Sequence, residues 1–216
     1  MKKHGLLWLF LFLLWLPATA FAQTETYVLP QGGIRILADA DWQLLAPSHL
    51  PEDVLTEMGL SAESLAAAYL AEGTLAEFFL PAGGQIDVSL TVDAQSQRLR
   101  SVTRMTDAER DALCAQFAAL SLYEDVAWVS PEHLRMRWTV QSQGAPLSAL
   151  CDLTVRQGAY YRCTAYWPDA EMPAAMERAL DDLVQGMAFL GAIATPAPTS
   201  ALTPTATPTP TPAPTP

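Results

Sequence analysis

Four arginines and a tyrosine stand where strands are expected. Arg135 and Arg137 alternate along one segment, and Arg156, Tyr160 and Arg162 flank a Gln157-Gly158 step. A guanidinium presents a planar fork of donors that matches a carboxylate, phosphate or sulfate group, so arginines converging on one face would bind a small anion. Arg156 and Arg162 are expected on the polar face of a hairpin with Asp152 and Tyr160, and an adjacent strand would bring in Arg135 and Arg137. The plainer reading of the same residues is a solvated sheet face, or one covered by the last helix, with Asp152 paired to Arg162.

Other chemistries find less support. Cys114, Cys151 and Cys163 make an odd count, which in an exported chain permits one disulfide, with Cys151 and Cys163 the candidate pair. Cys114 lies beside Leu113 and Phe117 and reads as helix packing. Zinc would have to draw its ligands from these cysteines and from His49 and His133, yet no C-x-x-C or H-x-x-x-H spacing exists, so no metal is expected. Both histidines sit near prolines in turns, away from any cysteine placed as a nucleophile, and are expected in solvent. No G-x-S-x-G, Walker, G-x-G-x-x-G or calcium-loop pattern occurs, so no catalytic residue and no cofactor is expected. The neighbours Asp181-Asp182 and Glu124-Asp125 diverge from one another and read as solubilising charge. Trp42, Trp128 and Trp138 are expected to pack in the core rather than serve as sugar platforms.

The ends of the chain bear on where this chemistry would operate. Residues 1–22 read as a signal peptide, with Lys2 and Lys3 ahead of an apolar run from Leu6 to Leu16, then Pro17 and small residues; cleavage after Ala22 is favoured. The run is shorter than the roughly 20 residues that span a bilayer core, so no stable membrane span is expected after cleavage. Losing Lys2 and Lys3 takes the formal net charge from -11 to -13, because the segment holds no acid and all ten remaining cations are arginines. Such a charge disfavours nucleic acid and anionic lipid as partners. Residues 194–216 hold 8 Pro and 8 Thr in a near TP repeat, which cannot build a helix interior and reads as a disordered stalk or linker.

Between them, residues 23–193 mix strand and helix signals and read as one α+β domain. A hairpin is expected around Gln31-Gly32-Gly33, a third short strand at Trp42 to Leu45, and a short helix from Pro51 to Met58. Ser61 caps a second helix that stops near Gly73, and strands flank Pro81-Ala82-Gly83-Gly84. Thr106-x-x-Glu109 is a capping box, strands follow at Val126 to Val129 and Leu134 to Val140, and Pro173 opens a last helix to about Gln185. The clearest hairpin joins Leu147 to Val155 with Ala159 to Trp167. Separating its apolar and polar residues onto two faces favours a three-residue Arg156-Gln157-Gly158 loop with a bulge, pairing Val155 with Ala159, Cys151 with Cys163 and Asp152 with Arg162. A two-residue loop would slip the pairing by one and set Leu153 opposite Arg162.

This order, with the fragments DWQLLAP, QIDVSLTV, TDAERDAL and LCDLTVRQGAYYRCTAYW, resembles the PsbP-like α/β/α sandwich, in particular its secreted Gram-positive bacterial members. The resemblance spans about Tyr27 to Leu190. It implies a central antiparallel sheet flanked by helices and activities of binding or assembly, and it carries over no catalytic residue. The expected protein is therefore a secreted or cell-envelope, non-enzymatic, monomeric domain on a Thr/Pro-rich stalk. Its partner would be an envelope protein or a small anionic ligand. A cell-envelope hydrolase with an unrecognised site and a purely structural spacer are the alternatives.

Overall fold

The structure is a computed structural model that describes residues 24–191 apart from 52–54, 56–58, 60 and 143. The expected signal and stalk, and most of the helix expected at 51–58, lie outside the described residues.

Among the described residues ten strands and three helices of eleven or twelve residues follow in order: β1 (Thr24–Leu29), β2 (Ile34–Asp39), β3 (Gln43–Leu45), α1 (Ala62–Glu72), β4 (Thr74–Phe79), β5 (Gln85–Thr91), α2 (Asp107–Ala118), β6 (Asp125–Trp128), β7 (Leu134–Ser142), β8 (Ala145–Arg156), β9 (Ala159–Trp167), α3 (Ala174–Gln185) and β10 (Ala188–Phe189). Local chemistry explains the helix ends. Ser61 Oγ accepts from Ser64 N at α1, whose stop is Gly73 at φ 73°. At α2, Thr106 Oγ1 and the Glu109 carboxylate exchange bonds with each other's backbone N–H, so the expected capping box is formed. Pro173 stands one residue before α3 rather than inside it.

Seven strands form an antiparallel sheet in the order β3-β4-β5-β9-β8-β7-β6. One face is covered by α1 near β4 and by α2 near β6 and β7. Tyr69 and Leu65 pack there with Phe79, while Leu113 and Phe117 pack on Leu134, Met136 and Leu153. The other face is covered by α3 and by a second sheet, β1-β2-β10, and together they enclose the largest core, from Ile34 and Ile36 through Phe78 and Ile86 to Leu180 and Leu183. The class is α+β with a central antiparallel sheet flanked by helices, as expected; the small sheet that shares one layer with α3 was not foreseen.

The β8–β9 register differs from the expected one. Arg156 pairs with Ala159, Val155 with Tyr160, Leu153 with Arg162 and Asp152 with Cys163. The loop is the two-residue form, Gln157-Gly158, with φ 51° and 76°, the pair of positive angles that twists a tight turn to match its strands. Gln157 N donates to Ser101 Oγ at 3.0 Å, holding a non-glycine residue in this conformation. The slip puts Cys151 in the core under α2 and Cys163 in the core under α3, so the two thiols occupy opposite faces of one sheet and no bridge forms. Burial raises both thiols, Cys151 to about 12, which keeps them protonated.

Candidate functional site: an aromatic cleft with an acidic rim

The expected arginine patch is taken apart by its own neighbours. Arg135 forms a bidentate pair with Asp152, at 2.7 Å for both bonds, and a second pair with Asp181 of α3. Arg137 pairs with Glu177 of α3 at 2.7 Å. Arg162 lies on the opposite face, donating to Thr91 Oγ1 at 2.7 Å with its guanidinium 5.3 Å from the centre of the Tyr160 ring. Tyr160 is itself buried against Phe117. Arg156 points back to the α3 side, pairs with Glu132 and covers the Phe189 ring at 4.8 Å. The five residues do not form one anion site, and Asp152 takes Arg135 where Arg162 was expected.

The remaining expected residues are equally dispersed. His49 sits beside Tyr27 with a ring separation of 6.4 Å. The half-buried His133 has Nδ1 3.1 Å from Ser130 Oγ, and burial holds its imidazole below the usual histidine range. Trp128 donates to the Arg110 carbonyl at 3.3 Å, and Trp138 packs edge-on to Tyr123 and Tyr166. Among the described residues no group of three or more His, Cys, Asp or Glu side chains is arranged to hold a metal ion.

The concavity with most to offer a ligand lies at the far end of β9, a cleft of about 460 Å³ whose two aromatic walls come from distant parts of the chain. Trp42 follows the turn closed by its backbone N–H bond to the Asp39 carbonyl at 3.1 Å, and its indole packs into the core as expected, 9% exposed and edge-on to Phe78 at 6.1 Å, with its accessible part on the cleft. Trp167 ends β9 and lies over the glycine turn between β4 and β5, with a ring carbon 3.8 Å from where a Cβ on Gly83 would stand. Leu80, Met176 and Ala179 supply apolar lining, and Arg178 is the only cation on the wall among the described residues. Three carboxylates line it as well: Asp39 from the end of β2, Asp41 from the turn and Asp182 from α3. Partial burial, with the Asp41 and Asp182 charges adding to it, raises the Asp39 carboxyl above its ordinary value. Like charges brought together on an apolar cleft are relieved by a cation, and indole faces attract one.

Gly84 sets the Trp167 wall. Its φ is 86°, and a Cβ there would come 2.9 Å from Trp167 Cε3 and 3.0 Å from Met176 Sδ. Gly84→Ala is expected to cost about 1–2 kcal/mol in urea denaturation and to red-shift tryptophan emission as the indole is pushed outward. Gly83→Ala, at φ 89° but with room for the methyl, should cost only the backbone part and leave the emission unmoved; equal effects from the two would contradict this account.

Asp39 and Asp41 beside Trp42 are a local signal that sequence reading passed over. Trp167 and Asp182 lie more than a hundred residues further on, and no periodicity announces that they meet Trp42.

No family model matches the chain, and no curated protein does. Among solved structures it is similar to a protein of Bacteroides thetaiotaomicron VPI-5482, with 10% identity over 77% of this chain and a TM-score of 0.46, spanning about half (48%) of that longer chain. It is also similar to cyanobacterial PsbP (CyanoP) of Synechocystis sp. PCC 6803, with 8% identity over 82% of this chain and 98% of that one and a TM-score of 0.37. Both scores lie under 0.5, and the architecture described above rests on its own topology.

Proposed function

We propose that this protein is a non-enzymatic, extracytoplasmic binding domain whose Trp42–Trp167 cleft takes a small organic cation. The observation that carries the reading is the meeting of two indoles and three carboxylates on one apolar cleft. Largely apolar walls with a few convergent charged groups are the usual character of a small-molecule site. The cation's charged head would sit among Asp39, Asp41 and Asp182 and its apolar body against Trp42 and Trp167. Export follows from the signal-like residues 1–22, and residues 194–216 would space the domain from its attachment. The resemblance to PsbP-like domains agrees with binding or assembly rather than turnover. Among the described residues no helix is long and apolar enough to cross a membrane.

A hydrolase built on a cysteine or histidine would need that side chain in a cleft. The described clefts hold none of Cys114, Cys151, Cys163, His49 or His133, and burial raises all three thiols.

Benzyltrimethylammonium tests the reading directly. Titrated into the protein, it is expected to quench tryptophan emission saturably, with Trp167→Ala and Asp182→Asn each weakening binding by about tenfold. Quenching that is linear in probe concentration, or unchanged in both variants, would overturn the assignment.

A further inference from the structure

A second pair of concavities lies at the opposite end of β9, roughly 30 Å away at the usual rise per residue. Two adjoining clefts of about 360 and 480 Å³ flank the Gln157-Gly158 turn and share Ser101, Arg104 and Gln157 as their common wall. Arg156 reaches the first and Arg100 the second. Arg98 is exposed in the same short segment. Four of the ten arginines outside the signal-like segment thus gather at one corner of a protein whose net charge is -11.

Their pairing leaves the corner positive. Arg156 is engaged by Glu132, while Arg100 meets Glu109 only at 3.8 Å and in solvent. Arg104 has no acidic partner among the described residues. Ser101 Oγ accepts from Gln157 N, which leaves its own O–H to donate outward, and Phe189 and Tyr161 give the first cleft an aromatic side. The wall is firmly set. Gly158, at φ 76°, packs so close to the backbone of Gln97 that a Cβ would stand 3.0 Å from its Cα.

We propose that this corner binds a phosphate monoester, with the phosphate on the Arg104 guanidinium and the Ser101 hydroxyl of the shared wall. The organic body lies in the first cleft toward Phe189. Guanidinium and hydroxyl donors suit the tetrahedral oxyanion, and clefts of this volume exceed what the bare ion fills. The site shares no residue with the Trp42–Trp167 cleft, so either stands without the other.

The test is a titration of the isotope-labelled full chain, followed by amide NMR, with phenyl phosphate, phenyl sulfate and inorganic phosphate. Saturable shifts are expected at Ser101, Gln157 and Gly158. Phenyl phosphate should saturate first, ahead of phenyl sulfate, which carries one charge fewer, and of inorganic phosphate, which lacks the body. Arg104→Ala should raise the dissociation constant by about tenfold or more, and Arg178→Ala at the other end should leave it unchanged. Because Arg104 is exposed, its variants should keep the wild-type spectrum, and Arg104→Gln provides a second one. Wild-type affinity in either Arg104 variant, equal loss in Arg178→Ala, or shifts that never saturate would overturn the site. Inorganic phosphate binding as tightly as the ester would overturn the assignment of the organic body.

Discussion

Glu77→Gln is expected to stabilise the protein at pH 8 by about 2 kcal/mol, raising its melting temperature by roughly 5 °C, while changing little at pH 4.5. Glu77 is 6% exposed and sits on the sheet face directly opposite Asp87, a cross-strand pair of like charges. The groups around it are the Tyr69 hydroxyl, which donates to its carboxylate, the Glu72 carboxylate and Asp87, itself held by Gln85; no cation among the described residues answers them. Burial first, and Glu72 after it, push the Glu77 carboxyl up to about 7 against the opposing Tyr69 bond. Burial, then the Glu77 charge, raises Asp87 well above its usual range. A carboxyl whose folded value lies above its unfolded one holds its proton in the native state after the unfolded chain has released it. Its contribution is full below about pH 4.5, where both states are protonated, and is lost as pH rises through 7. Glutamine keeps an acceptor for Tyr69 and removes the charge, so the variant's stability should be flatter over that window. Denaturation of both proteins at pH 4.5, 6 and 8 measures it; parallel curves would show that Glu77 is ionised without penalty.

The features legible in the sequence were those fixed within a few residues. Ser61, Gly73 and the Thr106–Glu109 box act on the helix that contains them, and the spacing of turns marks most strands. The β8–β9 register was not legible for a physical reason. β8 is buried without a break from Leu147 to Val155, because α2 covers one face of the sheet and α3 the other, so no polar side exists to reject a one-residue slip. The choice falls instead to the left-handed geometry of Gln157-Gly158, and Arg162 is accommodated beneath α2 by lying across Tyr160. The second sheet was hidden for a related reason. Its third strand is only Ala188–Phe189, and what defines it is pairing with Arg35 and Ile34 across the length of the chain. The arginine types were read correctly and their partners were not, since Asp181 and Glu177 reach the sheet only once α3 docks. Aromatic wall and acidic rim share that difficulty, being assembled from β2, β9 and α3 by packing.

Asp152→Ala is expected to destabilise the protein by about 3 kcal/mol. Its side chain is 3% exposed and accepts from both Nε and Nη2 of Arg135, whose side chain is 20% exposed. The Asp152 bonds, more than those to Asp181, hold Arg135 more firmly protonated than usual, so removing Asp152 cannot be answered by neutralising the arginine. The cation would be left half-buried beside Asp181 alone, a carboxylate 41% exposed and screened by water. Removing the charge along with its partner should reverse much of the loss, because the cost lies in stranding an ion rather than in losing an attraction. Arg135→Leu combined with Asp152→Leu is therefore expected to be more stable than Asp152→Ala. Glu177→Ala, at the more accessible, half-buried pair with Arg137, provides the comparison and should cost less, about 1 kcal/mol. A loss at Asp152 no greater than at Glu177 would mean that Arg135 is solvated and free, returning it to the pool of residues able to meet an anion. A large loss recovered in the double variant would fix Arg135 as the clamp between sheet and α3, which also sets Asp182 on the rim of the Trp42–Trp167 cleft.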